Sequence, residues 1–269
     1  MQTGARAEQS FQRVAAIMTE LGNLDREEGS RYQQLLWALQ GEYRKAPEFP
    51  HCSVAMAQAL ALSGKVVDAR QELRQLISRV KNQGLTLPTL VVMNMVGKAT
   101  DLGMIEESRP FLTFLLNLEH INKPELAKVV FPIAYKAAVR CGDVELLQRC
   151  AQFPLHEAGM ARFLLQLLQE ADLLTSFSRQ QQALEEVLGP VTSSFQSEVM
   201  RVDGGGLRLV MHYHTNVAHG LWMGLYEEIQ GALRQVYALH VNGPAAFLGH
   251  VVIRVAGPQI PVTGQIGRA

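Results

Sequence analysis

Five of the chain's eight histidines lie after residue 211, at His212, His214, His219, His240 and His250. In an extended strand His212 and His214 project to one side with Tyr213 opposite, and His219 stands where the start of a following helix could return to them. Three imidazoles so gathered could hold zinc and leave a coordination position open. Against that, no acidic residue stands between Asp203 and Glu227, and the spacing matches no metal-ligand motif. Strand-surface or interface histidines account for the same residues with fewer requirements. No metal and no cofactor is therefore expected, and an enzyme site around His212, His214 and His219 stands as the alternative reading.

Other chemistry is thinner still. The run Asp203-Gly204-Gly205-Gly206 lies between two strand-like segments, whereas a phosphate cradle needs a glycine loop opening into a helix N-terminus. It reads as a hairpin turn. Neither Gly-x-Ser-x-Gly nor His-Glu-x-x-His occurs. Cys52, Cys141 and Cys150 lack metal spacing and read as reduced structural thiols, which suits a cytoplasmic location. Glu185-Glu186 and Glu227-Glu228 read as solvated helix faces. With 25 basic and 25 acidic residues in 269, the chain carries no net charge, which disfavours nucleic acid as a partner. No segment has the apolar length to span a bilayer, so no membrane is expected, and the first twenty residues are interrupted by charges.

The elements that must position these residues announce themselves by repetition. Gly64, Gly103 and Gly142 stand 39 residues apart, in Leu62-Ser-Gly-Lys-Val-Val, Asp101-Leu-Gly-Met-Ile-Glu and Arg140-Cys-Gly-Asp-Val-Glu. Four residues before each glycine stand Leu60, Ala99 and Ala138; two after it come Val66, Ile105 and Val144. A fixed period with matched apolar positions is the mark of stacked supersecondary units. The glycine suits a helix end, where a left-handed residue closes the turn. Residues 6–21 with 30–45, and the pair within 157–188, extend the stack, and Gly189-Pro190 ends it. Pro132 falls inside the first helix of the third unit and predicts a kink or a split there.

The character changes near residue 195. Glu198–Val202 and Leu207–Tyr213 read as strands, 219–240 as a helix, and His250–Val255 as a third strand. The expected fold is mainly α: a helical-hairpin stack over 1–190, a small ββαβ domain over 195–256 and an extended tail over 257–269. From residue 195 onward there are five Arg, four acidic residues and no Lys. Such a charge-poor segment predicts a buried face against the stack or a homodimer contact, with Trp222, Tyr226 and Tyr237 as its anchors.

The turn glycine, the small residue five later and the bulky residue four beyond, clearest in Gly64, Ala69 and Leu73, resemble the tetratricopeptide repeat family over about residues 50–155. The resemblance implies a right-handed stack whose first helices line a concave groove for a protein or peptide partner. Carried over by position, the groove residues are His51, Gln58, Lys136 and Arg140, with Lys98 and Lys128 close enough to contribute. That set leans positive and implies an acidic partner. The function expected is a non-catalytic adaptor or scaffold.

Overall fold

The computed structural model describes residues 2–23, 29–84, 86–117, 121–201, 206–237 and 250–257. Among them the chain is mainly α-helical, with a small mixed α+β segment near the C-terminus. The helices run α1 Gln2–Asn23, α2 Gly29–Lys45, α3 Pro50–Leu62, α4 Val66–Gln83, α5 Thr89–Asp101, α6 Ile105–Leu115, α7 Pro124–Cys141, α8 Val144–Ala151, α9 Gly159–Glu170 and α10 Phe177–Leu188. Strands β1 Thr192–Arg201 and β2 Leu207–Thr215 follow, then α11 Trp222–Tyr237 and β3 Val251–Ala256. Helix α1 continues through Gly22 and Asn23, and the connection after it lies outside the described residues. So do Asp203 to Gly205, the end of the expected 219–240 helix, His240 and the tail beyond Gly257.

Each second helix of the three matched units begins two residues after its glycine, at Val66, Ile105 and Val144. The reason is one repeated hydrogen-bonding pattern. Gly64, Gly103 and Gly142 have φ of 78°, 69° and 64°, where a Cβ is strained. Beside them Lys65 N donates to Leu60 O at 2.9 Å, Met104 N to Ala99 O at 2.8 Å and Asp143 N to Ala138 O at 2.9 Å. A fourth turn repeats the bond without a glycine: Leu173 N donates to Leu168 O at 2.7 Å, and Asp172 takes the left-handed conformation at φ 54°. The first helices α1, α3, α5 and α7 each pack on the next, with α2, α4, α6 and α8 paired behind them.

Two sequence expectations are corrected. Of the kink or split expected at Pro132, the split does not occur: α7 runs unbroken from Pro124 to Cys141. It costs the helix an amide donor, but α7 is packed on α5, α6 and β1, and that tertiary support holds it. Nor is α10 the second helix of a further stacked pair. It crosses the ends of the earlier hairpins, packing on α7 and α11. A Cβ on Gly142 would lie 2.6 Å from Ser178 Cα and 2.7 Å from Phe177 O, and one on Gly103 would overlap the Glu185 carboxylate. Past the end of α10, Arg70 Nη2 donates to Gly189 O at 2.7 Å, and Asn216 Nδ2 donates to Gly64 O at 2.9 Å. The turn glycines thus serve twice: they close each hairpin, and in two units they admit the chain laid across it.

The sheet has the order β1-β2-β3, with β1 and β2 antiparallel and β2 and β3 parallel. Its inner face carries Phe195, Leu209, Met211, Tyr213 and Val251, all buried in one core with Phe131, Leu147, Leu164 and Leu184 of the helices. β1 is longer than the sequence suggested. Its first half, Thr192-Ser-Ser-Phe-Gln, is too polar to show alternation, yet Thr192, Ser193 and Phe195 are buried against helices.

Candidate functional site

The face formed by the first helices divides in two. Toward the C-terminal end it is covered by β1, which packs on α3, α5, α7 and α9. The anchorage is ionic. Asp101, the last residue of α5, accepts from Lys98 Nζ at 2.9 Å and Lys136 Nζ at 2.6 Å, and its Oδ1 lies 3.4 Å from the Phe195 amide of β1. Burial works against ionising this carboxyl, but the two ammonium groups outweigh it, so Asp101 is held below the usual carboxylate range.

Arg140 sits beside this node at 1% exposure. Its Nε and Nη2 clasp Glu185 at 2.8 and 3.0 Å, while Nη1 donates to the Thr100 and Asp101 carbonyls at 2.8 and 2.6 Å. Its guanidinium stands 5.5 Å over the Phe195 ring and 6.0 Å from that of Tyr213. One side chain therefore joins α7, α5, α10 and the sheet. Glu185 is also 3.8 Å from Arg70. Sequence reading placed Glu185 on a solvated helix face. The structure corrects this, because α10 runs across the hairpin ends and turns Glu185 toward Arg140. No local pattern around Glu185 carried that signal.

Toward the N-terminal end the same face is open. A groove of about 580 Å³ lies between α1, α3 and α5, reaching Ile133 of α7. Val14, Met18, Val54, Met93 and Ile133 give it apolar walls, and the rim residue Leu90 is 45% exposed. His51 and Gln58 line it, as does Lys98 at the end shared with Asp101. His51 is held by Ser10 Oγ at 3.2 Å from Nε2 and by the rings of Phe11 and Phe49, at 5.4 and 5.6 Å. Burial lowers its pKa, favouring the neutral imidazole. Of the other residues carried over from the repeat resemblance, Lys136 lies on the β1 side, Arg140 is internal, and Lys128 is exposed on α7 away from the groove lining. The positive lean that motivated an acidic partner is thus largely neutralised by Asp101 and Glu185.

The remaining candidates fall elsewhere. His212 lies on the outer face of the sheet, its Nε2 3.2 Å from Glu198 Oε1, and His214 is on the same face. The side chain of His219 lies outside the described residues. Among the described residues no three His, Cys, Asp or Glu side chains gather as a metal site would require. Trp222 Nε1 donates to Val217 O at 3.1 Å, so its indole is used within the segment. Tyr226 is exposed on α11 near Leu221 and Met223, its hydroxyl accepting from Gln230 at 2.7 Å. The Tyr237 side chain is outside the described residues. Cys141 and Cys150 have thiols pushed up to about 12 by burial, which leaves them protonated and unreactive. No helix among the described residues is long and apolar enough to cross a membrane. No protein-family model, curated protein or solved structure matches the chain.

Proposed function

We propose that this protein is a non-catalytic scaffold of tetratricopeptide-like, right-handed build, whose open groove between α1, α3 and α5 docks a segment of a partner protein. One observation carries the reading: a stack of hairpins leaves an apolar channel of about 580 Å³ along its first helices, rimmed by exposed Leu90. Because Lys98 and Lys136 are engaged by Asp101, and Arg140 by Glu185, recognition rests chiefly on apolar side chains. His51 and Gln58 add polar contacts along the wall. The C-terminal segment closes the other half of the face, and its exposed strip at Leu221, Met223 and Tyr226 offers a self-association contact.

A photo-crosslinking residue placed at Leu90, and another at exposed Trp37 of α2, tests the groove. The expected result is one discrete crosslinked protein from position 90 and none from position 37, with the crosslink lost when Gln58→Glu is added. Equal crosslinking from both positions sinks the proposal.

A further inference from the structure

Sheet edges in proteins are normally paired, covered or blunted, and β1 is an edge. Its inner end is covered, since the Phe195 amide reaches Asp101 Oδ1. That contact fixes the direction of the rest. In an antiparallel ladder alternate residues send both N–H and C=O to the same side, so Ser197 and Val199 also direct theirs away from β2. A pocket of about 490 Å³ lies beside this stretch, bordered by Gln196, Ser197 and Glu198 of β1, His212 of β2, Pro132, Tyr135 and Lys136 of α7, and Met160 of α9. Consecutive strand residues point to opposite faces. Gln196, Glu198 and His212 share the outer face and Ser197 belongs to the inner one, so the pocket reaches from the outer face around the edge of β1.

Two of these residues carry unmet polar atoms. Tyr135 Oη and Ser197 Oγ are buried, and among the described residues neither has a hydrogen-bond partner. Tyr135 is only 4% exposed and its oxygen is covered, so a group pairing with it must enter the pocket and displace what covers that oxygen. Buried hydroxyls are nearly always paired, and two orphans in one pocket wall need a common explanation. Both can donate. Beside them stands the Lys136 ammonium, which gives one of its three donors to Asp101, and the one carboxylate in the lining, Glu198, already faces His212. The lining asks for an acceptor.

We propose that this edge receives an extended segment of a partner protein, which adds to the sheet beside β1 and sends a carboxylate or carboxamide side chain into the pocket toward Tyr135, Ser197 and Lys136. Main-chain bonds to the edge supply affinity, and the pocket supplies selection of the side chain. A second copy of β1 fits less well. Antiparallel pairing about Val199 would set Arg201 opposite Ser197, bringing a cation beside Lys136 where an acceptor is needed. The site is separate from the groove between α1, α3 and α5, so either proposal can fail alone.

The probe is a pool of blocked hexapeptides of alternating Thr and Val with one central Asp or Asn, matched against a Lys pool and against the Asp pool N-methylated at alternate amides. Binding is followed on isotope-labelled full-length protein through the Ser197 and Val199 amides. The Asp or Asn pool should shift those amides and slow their hydrogen exchange. The Lys and N-methylated pools should not. Tyr135→Phe should weaken binding by about tenfold or more, the value of one hydrogen bond to a charged acceptor. It should leave the thermal midpoint unchanged or raised, because it deletes an unpaired hydroxyl. Unmoved β1 amides, or an affinity indifferent to Tyr135→Phe, overturns the proposal. So does concentration-dependent protection of the same amides without peptide, which would make the edge a seam between copies.

Discussion

At the scale of single residues, the turn glycines give the sharpest expectations. All three pay the left-handed backbone strain if given a side chain, about 1–2 kcal/mol, but their surroundings differ. A Cβ on Gly64 meets only Asn216 Cβ at an ordinary 3.5 Å, whereas on Gly142 it would collide with the backbone of Phe177 and Ser178. Urea denaturation should therefore rank Gly64→Ala near the strain cost alone and Gly142→Ala clearly above it. Equal losses would mean that α10 does not lie across the third turn. His51 gives a pH expectation. Its folded pKa lies below the ordinary 6.5, so its contribution is fully present above about pH 6.5 and lost as pH falls through the folded value. The stability of the native protein relative to His51→Phe should be greatest at neutral pH and should fall as pH drops below about 6.5, read from midpoints at several pH values. The glycines were legible in the sequence because their spacing marks them, and His51 was reached only through the repeat resemblance. Asp101 and Glu185 were not, since each matters through partners that are distant in the chain: Lys136 and the Phe195 amide for one, Arg140 for the other.

At the scale of elements, the three matched hairpins could be read from the sequence, with their turns at Gly64, Gly103 and Gly142. What escaped is the fourth turn, where Asp172 takes the place of glycine at a spacing of 30 from Gly142, so neither residue type nor period flags it. The path of α10 escaped for a related reason: Leu184 and Leu188 give it an ordinary apolar stripe, and a stripe does not say which neighbour it faces. The candidate groove was half legible. His51 and Gln58 line it, while its apolar walls include Val14 and Met18 of α1, a helix outside the matched repeats. Gly97 of α5 lies on the groove in helical backbone, and a Cβ there would sit 3.8 Å from Ile133 Cγ1, in ordinary contact. Gly97→Ala should raise stability by about 0.5–1 kcal/mol through helix propensity, measured by urea denaturation. A loss instead would show that the groove floor has no room for a methyl group.

At the scale of the whole molecule, the C-terminal segment is bound into the stack. Phe195, Tyr213, Leu225 and Ile229 share a core with the helices of the third hairpin. A chain ending at Pro190 keeps the Arg140–Glu185 pair but uncovers the helix faces on which Phe195 and Tyr213 rest. It should bind a hydrophobic dye strongly and melt at a lower temperature than the full chain. Unchanged melting would mean that the sheet contributes nothing to the stack. Light scattering on the full chain bears separately on the Leu221–Met223–Tyr226 strip: a dimer that Met223→Glu converts to monomer supports self-association there, and a monomer at high concentration removes it.

The chain laid across the hairpin ends also bears on how the molecule is assembled in time. Repeat stacks ordinarily contact only their neighbours, so folding can begin in any unit and spread along the array. Here Arg70 is bonded to Gly189, 119 positions away, and Gly64 to Asn216, 152 positions away. Contacts of such sequence separation demand the closure of large loops before they repay anything, and they slow folding accordingly. The first hairpins must then wait, incompletely secured, until residues near 190 and 216 have left the ribosome. Synthesis of the stretch from Gly189 to Asn216, and not of the first repeats, sets when the first hairpins are secured.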